Sequence, residues 1–261
     1  MVFYDLTKEE RSKLVKKIHE TIEKSINELE DRVQTKEITI PEIILYYASD
    51  EDTYIRKNAY LSMGRIYWAC DNLHKTMNIL ISKMLNNENY RVRQTAVYAL
   101  GEIGKKDTTN IMNLFETALN DKHHSVRNAV VGSLKQMGQM NPEQTFKFAR
   151  KYIHNDNPKI RREIIHGIKL RGRTHPEEVL PFLRELENEE NKEVRTIIIH
   201  VMGQISYKSG CLEVVVEDMN EWKNKEMQDE MVAEIINVHK RYKFAARTPE
   251  NAEEYIKTNL R

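Results

Sequence analysis

Asn89-Tyr90-Arg91-Val92-Arg93-Gln94-Thr95-Ala96-Val97-Tyr98-Ala99-Leu100-Gly101-Glu102-Ile103-Gly104 is the stretch that decides the fold. After Arg93, apolar Ala96, Val97, Leu100 and Ile103 follow at three, four, seven and ten residues. That spacing turns one stripe of a helix towards a core. Ahead of it, Asn86-Asn87-Glu88-Asn89 is polar and turn-like. Asn and Asp side chains accept hydrogen bonds from the N–H groups that the first helical turn leaves free. The segment predicts a polar turn that leads into an amphipathic helix.

The same register returns along the chain. An aliphatic residue precedes Arg at Ile55-Arg56, Val92-Arg93, Val126-Arg127, Ile160-Arg161 and Val194-Arg195, at spacings of 37, 34, 34 and 34. Six residues before each Arg stand Asp50, Asn87, Asp121, Asn155 and Glu189; eight after stand Gly64, Gly101, Lys135, Lys169 and Gly203. A further step of 34 lands on Asp229, within Met227 to Val238, where the helical pattern persists without the Arg, as in an end unit. A period of this length marks a repeat architecture. Glycine inside a helix costs about 1 kcal/mol of propensity, so its recurrence predicts a close neighbour.

A second helix precedes each turn. Ile79 to Met84, Ile111 to Ala118 and Phe146 to Ile153 have helical apolar spacing. Pro41, Pro142 and Pro176 stand near helix starts, where a missing N–H does no harm. Each unit is therefore helix A, a short turn and helix B, and such pairs bury their apolar faces only by stacking. Thr7-Lys8-Glu9-Glu10 reads as a capping box. It opens a helix with Leu14, Ile18, Ile22, Ile26, Leu29 and Val33 on one stripe. Thr248-Pro249-Glu250 opens a last helix with Ala252, Tyr255 and Ile256.

The Asn89 to Gly104 segment and its spacing resemble the HEAT-repeat family, including its phycobilisome-lyase-like subgroup, over roughly Pro41 to Val238. The expected fold is all-α: a right-handed α-solenoid of about six HEAT-like helix pairs. It is read as one domain over residues 1–261, with an N-terminal cap over 1–36, repeats over 37–243 and a C-terminal cap over 244–261. In proteins with this pattern the repeated Arg resembles a structural brace to acidic or carbonyl groups of the adjacent unit. That is the expected role of Arg56, Arg93, Arg127, Arg161 and Arg195.

The bulk composition agrees with an extended helical surface. Hydrophobic residues make up 40% and charged residues 31% of 261, which excludes a disordered chain, and 9 Gly with 6 Pro are too few for many hairpins. The net charge of +1 hides an asymmetry: Glu51 to His175 holds 21 Lys+Arg against 11 Asp+Glu. A basic middle can guide an anionic partner. The charged start, Met1 to Arg11, carries no secretory pattern. Apolar runs fall far short of the roughly 20 residues of a membrane span. Two distant cysteines, Cys70 and Cys211, suggest no disulfide framework, and a cytoplasmic location is expected. Cys70 and His74 are half a metal site without a second half, so no metal and no cofactor are expected.

Candidate contact residues come from the helix B positions that the core does not use. Position one after the Arg holds Lys57, Gln94, Asn128, Arg162 and Thr196; position five holds Leu61, Tyr98, Gly132, His166 and His200. Position nine holds Arg65, Glu102, Gln136, Leu170 and Gln204; position twelve holds Trp68, Lys105, Gln139, Arg173 and Tyr207. With Lys135 and Lys169 at position eight, the expected groove is lined by Lys57, Arg65, Trp68, Tyr98, Glu102, Lys105, Lys135, Arg162, His166, Lys169, Arg173, His200 and Tyr207.

Arg and Lys there suit phosphates or carboxylates, and Trp and Tyr give stacking area. The expected function is a non-enzymatic binding scaffold for a protein or peptide, with no membrane partner. The alternative is a nucleic-acid partner. The HEAT-like DNA-alkylation-repair glycosylases, a more distant resemblance, hold duplex DNA in a concave basic groove and use a carboxylate framed by tryptophans. Trp68 and Glu102 lie on the inferred face, with Trp222 near Asp218 elsewhere. The catalytic residues of that family do not map one by one onto this chain.

Overall fold

A computed structural model describes residues 2–33 and 38–261. The side chain of Val33 and the expected boundary at 36/37 lie outside the described residues. The chain divides into two compact units, up to Ser133 and from Leu134. Every long element of the described residues is helical and none is a strand, in agreement with the all-α expectation.

The first unit holds α1 (Lys8–Val33), α2 (Glu42–Ser49), α3 (Thr53–Ala69), α4 (His74–Leu85), α5 (Tyr90–Gly104), α6 (Met112–Leu119) and the start of α7 (His124–Met140). The second holds the rest of α7, then α8 (Pro142–Tyr152), α9 (Pro158–Gly172), α10 (Pro176–Arg184), α11 (Lys192–Ser206), α12 (Cys211–Met219), α13 (Lys225–Arg241) and α14 (Pro249–Asn259). Local chemistry starts these helices as expected. Asp52, Asn89, Asn157 and Asn191 accept from the N–H groups of Tyr54, Arg91, Lys159 and Glu193 at 2.7–3.1 Å. The capping box forms as well: Glu10 Oε2 accepts from Thr7 N at 2.8 Å, and Thr7 Oγ1 accepts from Glu10 N at 3.3 Å.

In the first unit the B helices α3 and α5 lie side by side, and α1 packs over α3. Ile18, Ile22 and Ile26 of α1 are fully buried there. In the second unit α9, α11 and α13 form a row, α10 and α12 a second layer, and α14 lies against α12 and α13. Each unit is thus built of stacked helix pairs, the solenoid type of packing.

The glycine column has the expected cause. A Cβ on Gly101 would stand 2.7 Å from Ser133 Cβ and 3.2 Å from Ser133 Cα, and one on Gly64 would stand 2.6 Å from Glu102 Cβ. Gly101→Ala is expected to lose about 1–2 kcal/mol of stability despite a propensity gain of about 1 kcal/mol, because two helices must part. Gly138→Ala is the contrast. Its added Cβ meets nothing nearer than 3.8 Å, so the gain should survive. Urea denaturation of both variants checks the pair; two equal shifts would remove the close-approach explanation.

The Arg column is a brace, with two kinds of acceptor. Arg93 Nη1 donates to the carbonyls of Asn87 and Glu88 at 2.9 and 2.8 Å, in the turn that opens its own helix. Arg56, Arg127 and Arg161 use the carbonyls five and six residues back in the same way. The adjacent unit adds carboxylates: Asp121 to Arg93, Glu189 to Arg161 and Glu230 to Arg195. The brace thus ties a turn to its own helix B as well as to the next repeat.

Candidate functional site

In the second unit, α7 carries Lys135, α9 carries Arg162, His166 and Lys169, and Arg173 caps α9. Lys135 and Lys169 occupy the position that is glycine in other repeats. A lysine there cannot simply project into solvent, because the next helix B lies over it. Lys169 is only 8% exposed, and Lys135 is half-buried. Each ammonium meets an imidazole of the following repeat: Lys135 Nζ lies 3.0 Å from His166 Nε2, and Lys169 Nζ lies 3.2 Å from His200 Nε2.

The charges in this cluster are one-sided. Burial lowers the ammonium pKa of Lys169 to about 8, and the charges of Lys135 and Arg173 push it the same way. Lys135 is also lowered, by burial and then by Arg173. His166 is held down to about 3 by burial, with Lys135 and Lys169 adding to it, so it is neutral at pH 7. A neutral imidazole has one acceptor nitrogen, and here that nitrogen faces the lysine. Among the described residues no carboxylate pairs with either ammonium. Glu234 on α13 lies 3.6 Å from His200 Nδ1 and 3.5 Å from Arg241.

Arg173 is fixed from the other side. One guanidinium nitrogen donates to Gln204 Oε1, and Gln204 is held by the Tyr242 hydroxyl at 2.9 Å. The guanidinium carbon lies 5.8 Å from the centre of the Tyr207 ring. Its Nε is buried with no hydrogen-bond partner among the described residues.

The first unit presents a different surface. Lys57 and Arg65 are exposed on α3. Tyr98 is half-buried and stacked on Tyr60 at 5.0 Å, with burial raising the Tyr60 phenol to about 12. Trp68 receives Lys106 over its ring at 5.0 Å. Glu102 is bonded through both oxygens to Lys105 at 2.7 Å. Trp68 and Tyr98 thus have partners within the first unit. His74 stacks on Tyr67 at 3.8 Å with its Nε2 2.8 Å from Tyr67 O, which gives it a structural role beside Cys70.

Residues 77–165 match a family described as HEAT repeats. That stretch carries HEAT repeats. Several solved structures are similar at low identity. AlkD2 from Streptococcus mutans is 15% identical with a TM-score of 0.48, over 87% of this chain and 100% of that one. An archaeal HEAT-like repeats protein from Thermococcus onnurineus NA1 is 13% identical with a TM-score of 0.38, over 95% and 98%. The CpcE and CpcF complex of phycocyanin lyase from Nostoc sp. PCC7120 is 12% identical with a TM-score of 0.36, over 82% and 81%. No curated protein matches the sequence.

Within the repeat register of the sequence, the second unit brings Lys135, His166, Lys169, Arg173 and His200 together. Two of the expected groove residues are buried. Lys169 is sunk between helices and not in solvent. Tyr207 is 5% exposed and packs against Tyr242 and Phe244 at 5.2 and 5.6 Å, beneath Arg173 and not in solvent. Trp222 is buried too, its indole bonded to Asp218 at 2.9 Å. Glu234, Arg241 and Tyr242 were absent from the expected site. The first two had a signal: from Asp229 they fall at positions five and twelve, the same columns as His200 and Tyr207. Among the described residues no helix is long and apolar enough to cross a membrane.

Proposed function

We propose that this HEAT-repeat chain is a binding scaffold that holds an acidic segment of another protein on its helix B faces. The observation that carries the reading is the cation cluster of the second unit. Lys135, Lys169 and Arg173 are drawn partly out of water without a carboxylate to offset them. Partly desolvated like charges cost folding energy, and an anionic ligand relieves that cost only when bound. Half-buried Arg162 on α9 adds attraction of the same sign.

The test is a fluorescence titration with a labelled glutamate-rich peptide, a labelled DNA single strand and a labelled duplex, at low and moderate salt. The peptide should bind. Arg162→Glu should weaken it about tenfold or more, which corresponds to about 1.4 kcal/mol. The melting temperature should hold, since accessible charges contribute little to folding. Duplex binding with a steep salt dependence and no peptide binding would replace this reading with a nucleic-acid one. No binding by any probe at low salt overturns the anionic-partner reading altogether.

A further inference from the structure

The Lys135–Lys169–Arg173 cluster carries more charge than one carboxylate can answer, and its construction explains how that charge is kept available. Two lysines come from adjacent B helices, and Arg173 stands one turn after Lys169 on the same helix. Each lysine is positioned by a histidine of the next repeat, at 3.0 and 3.2 Å. An imidazole acceptor takes one of the three ammonium N–H bonds and leaves the full positive charge and two donors. A carboxylate in its place would neutralise the lysine. The same device occurs twice, each time across 31 residues. Arg173 is preorganised through Gln204 and Tyr242. His166, Lys169 and Arg173 follow one another at three and four residues along α9 and so share one face, and Lys135, held at His166, stands on that same face.

We infer that Lys135, Lys169 and Arg173 form a phosphate-class oxyanion site that takes a phosphorylated side chain of the protein partner. This rests on the proposed function and names the group that its site recognises. A phosphomonoester brings about 1.5–2 negative charges and three acceptor oxygens at neutral pH. That matches three cationic donors from two helices. A glutamate brings one charge and would leave two cations of the cluster unanswered. The partner must then have passed through a phosphoryl-transfer reaction before it docks, so the affinity of this face depends on the phosphorylation state of the partner.

The experiment is isothermal titration with three capped peptides that differ only at one position, phosphoserine, glutamate or serine, and with inorganic phosphate as competitor. The imidazole NMR signals of His166 and His200 report on the site. The phosphoserine peptide should bind about tenfold or more tightly than the glutamate peptide, and shift both imidazole signals. Inorganic phosphate should displace it. Lys169→Met and, separately, Lys135→Met should each lose most of that preference, and Lys57→Met should retain it. Equal binding of the glutamate and phosphoserine peptides overturns the phosphate inference and leaves the acidic-segment reading standing. Binding of inorganic phosphate without the phosphoserine peptide also overturns it, because the site would then serve a free anion. Failure of every probe removes both readings.

Discussion

Arg93→Ala is expected to destabilise the protein by about 3–5 kcal/mol, because it strips one member from a buried charge pair and strands the other. Arg93 is 5% exposed. Its guanidinium grips Asp121 at 2.6 and 3.0 Å and two turn carbonyls at 2.9 and 2.8 Å. Burial alone would raise the Asp121 carboxyl, yet the Arg93 bond and the His123 N–H outweigh it and hold the carboxyl below its ordinary value. Without Arg93, Asp121 stays between the helices with its main counter-charge gone. Urea unfolding reads the loss directly. Arg93→Lys separates charge from geometry: a lysine cannot span both carboxylate oxygens and both carbonyls, so it should recover only part of the stability. A fully stable Arg93→Ala would overturn the brace assignment. Affinity for an acidic peptide should stay near the parent value in the folded fraction of either variant.

Lys169→Met is expected to act in the opposite direction and stabilise the protein at pH 7, by about 1–3 kcal/mol. The ammonium pKa is about 8 in the fold against an ordinary 10.5, with burial the first cause. The unfolded chain therefore holds the proton more tightly between those values. The charge lowers stability in full below about pH 8, and the penalty fades as pH rises through the window. Methionine keeps the chain length and removes the charge, so the gain should shrink towards zero near pH 10.5. The groups that face Lys169 are Lys135 on α7, Arg162, His166 and Arg173 at α9, His200 on α11, and through His200 the Glu234–Arg241 pair of α13. Parallel melting curves of parent and variant from pH 7 to 10 provide the measurement. A variant less stable than the parent at pH 7 would show that the Lys169–His200 contact outweighs the buried charge. Stability gained by removing a lysine, together with loss of the phosphoserine preference, would separate a binding role from a folding role at one residue.

The repeat was legible because its causes are local or strictly periodic. Asn89 and Asn157 cap helices through their own turns, and Ala96, Val97 and Leu100 lie on one stripe because a helix turns every 3.6 residues. Stacking then demands the same brace at each step, which puts Arg56 to Arg195 into one column. The Arg partners were only half legible. Asp121 and Glu189 sit in the polar turns, and nothing in those turns says that their carboxylates serve the preceding repeat's Arg.

The candidate site was less legible still. At positions away from the core stripe, Lys169 looks like solvated charge and Tyr207 like an exposed aromatic. Both are covered in the folded protein, Lys169 by α11 and Tyr207 by the segment that carries Tyr242 and Phe244. Periodicity records which side of a helix meets the core, since that depends on residues three and four positions away. Whether a lysine off that stripe is hydrated or held against an imidazole depends on a residue 31 positions later, brought in by a separate helix. That distance is set by how closely two helices pack, and helix packing is a property of the folded chain.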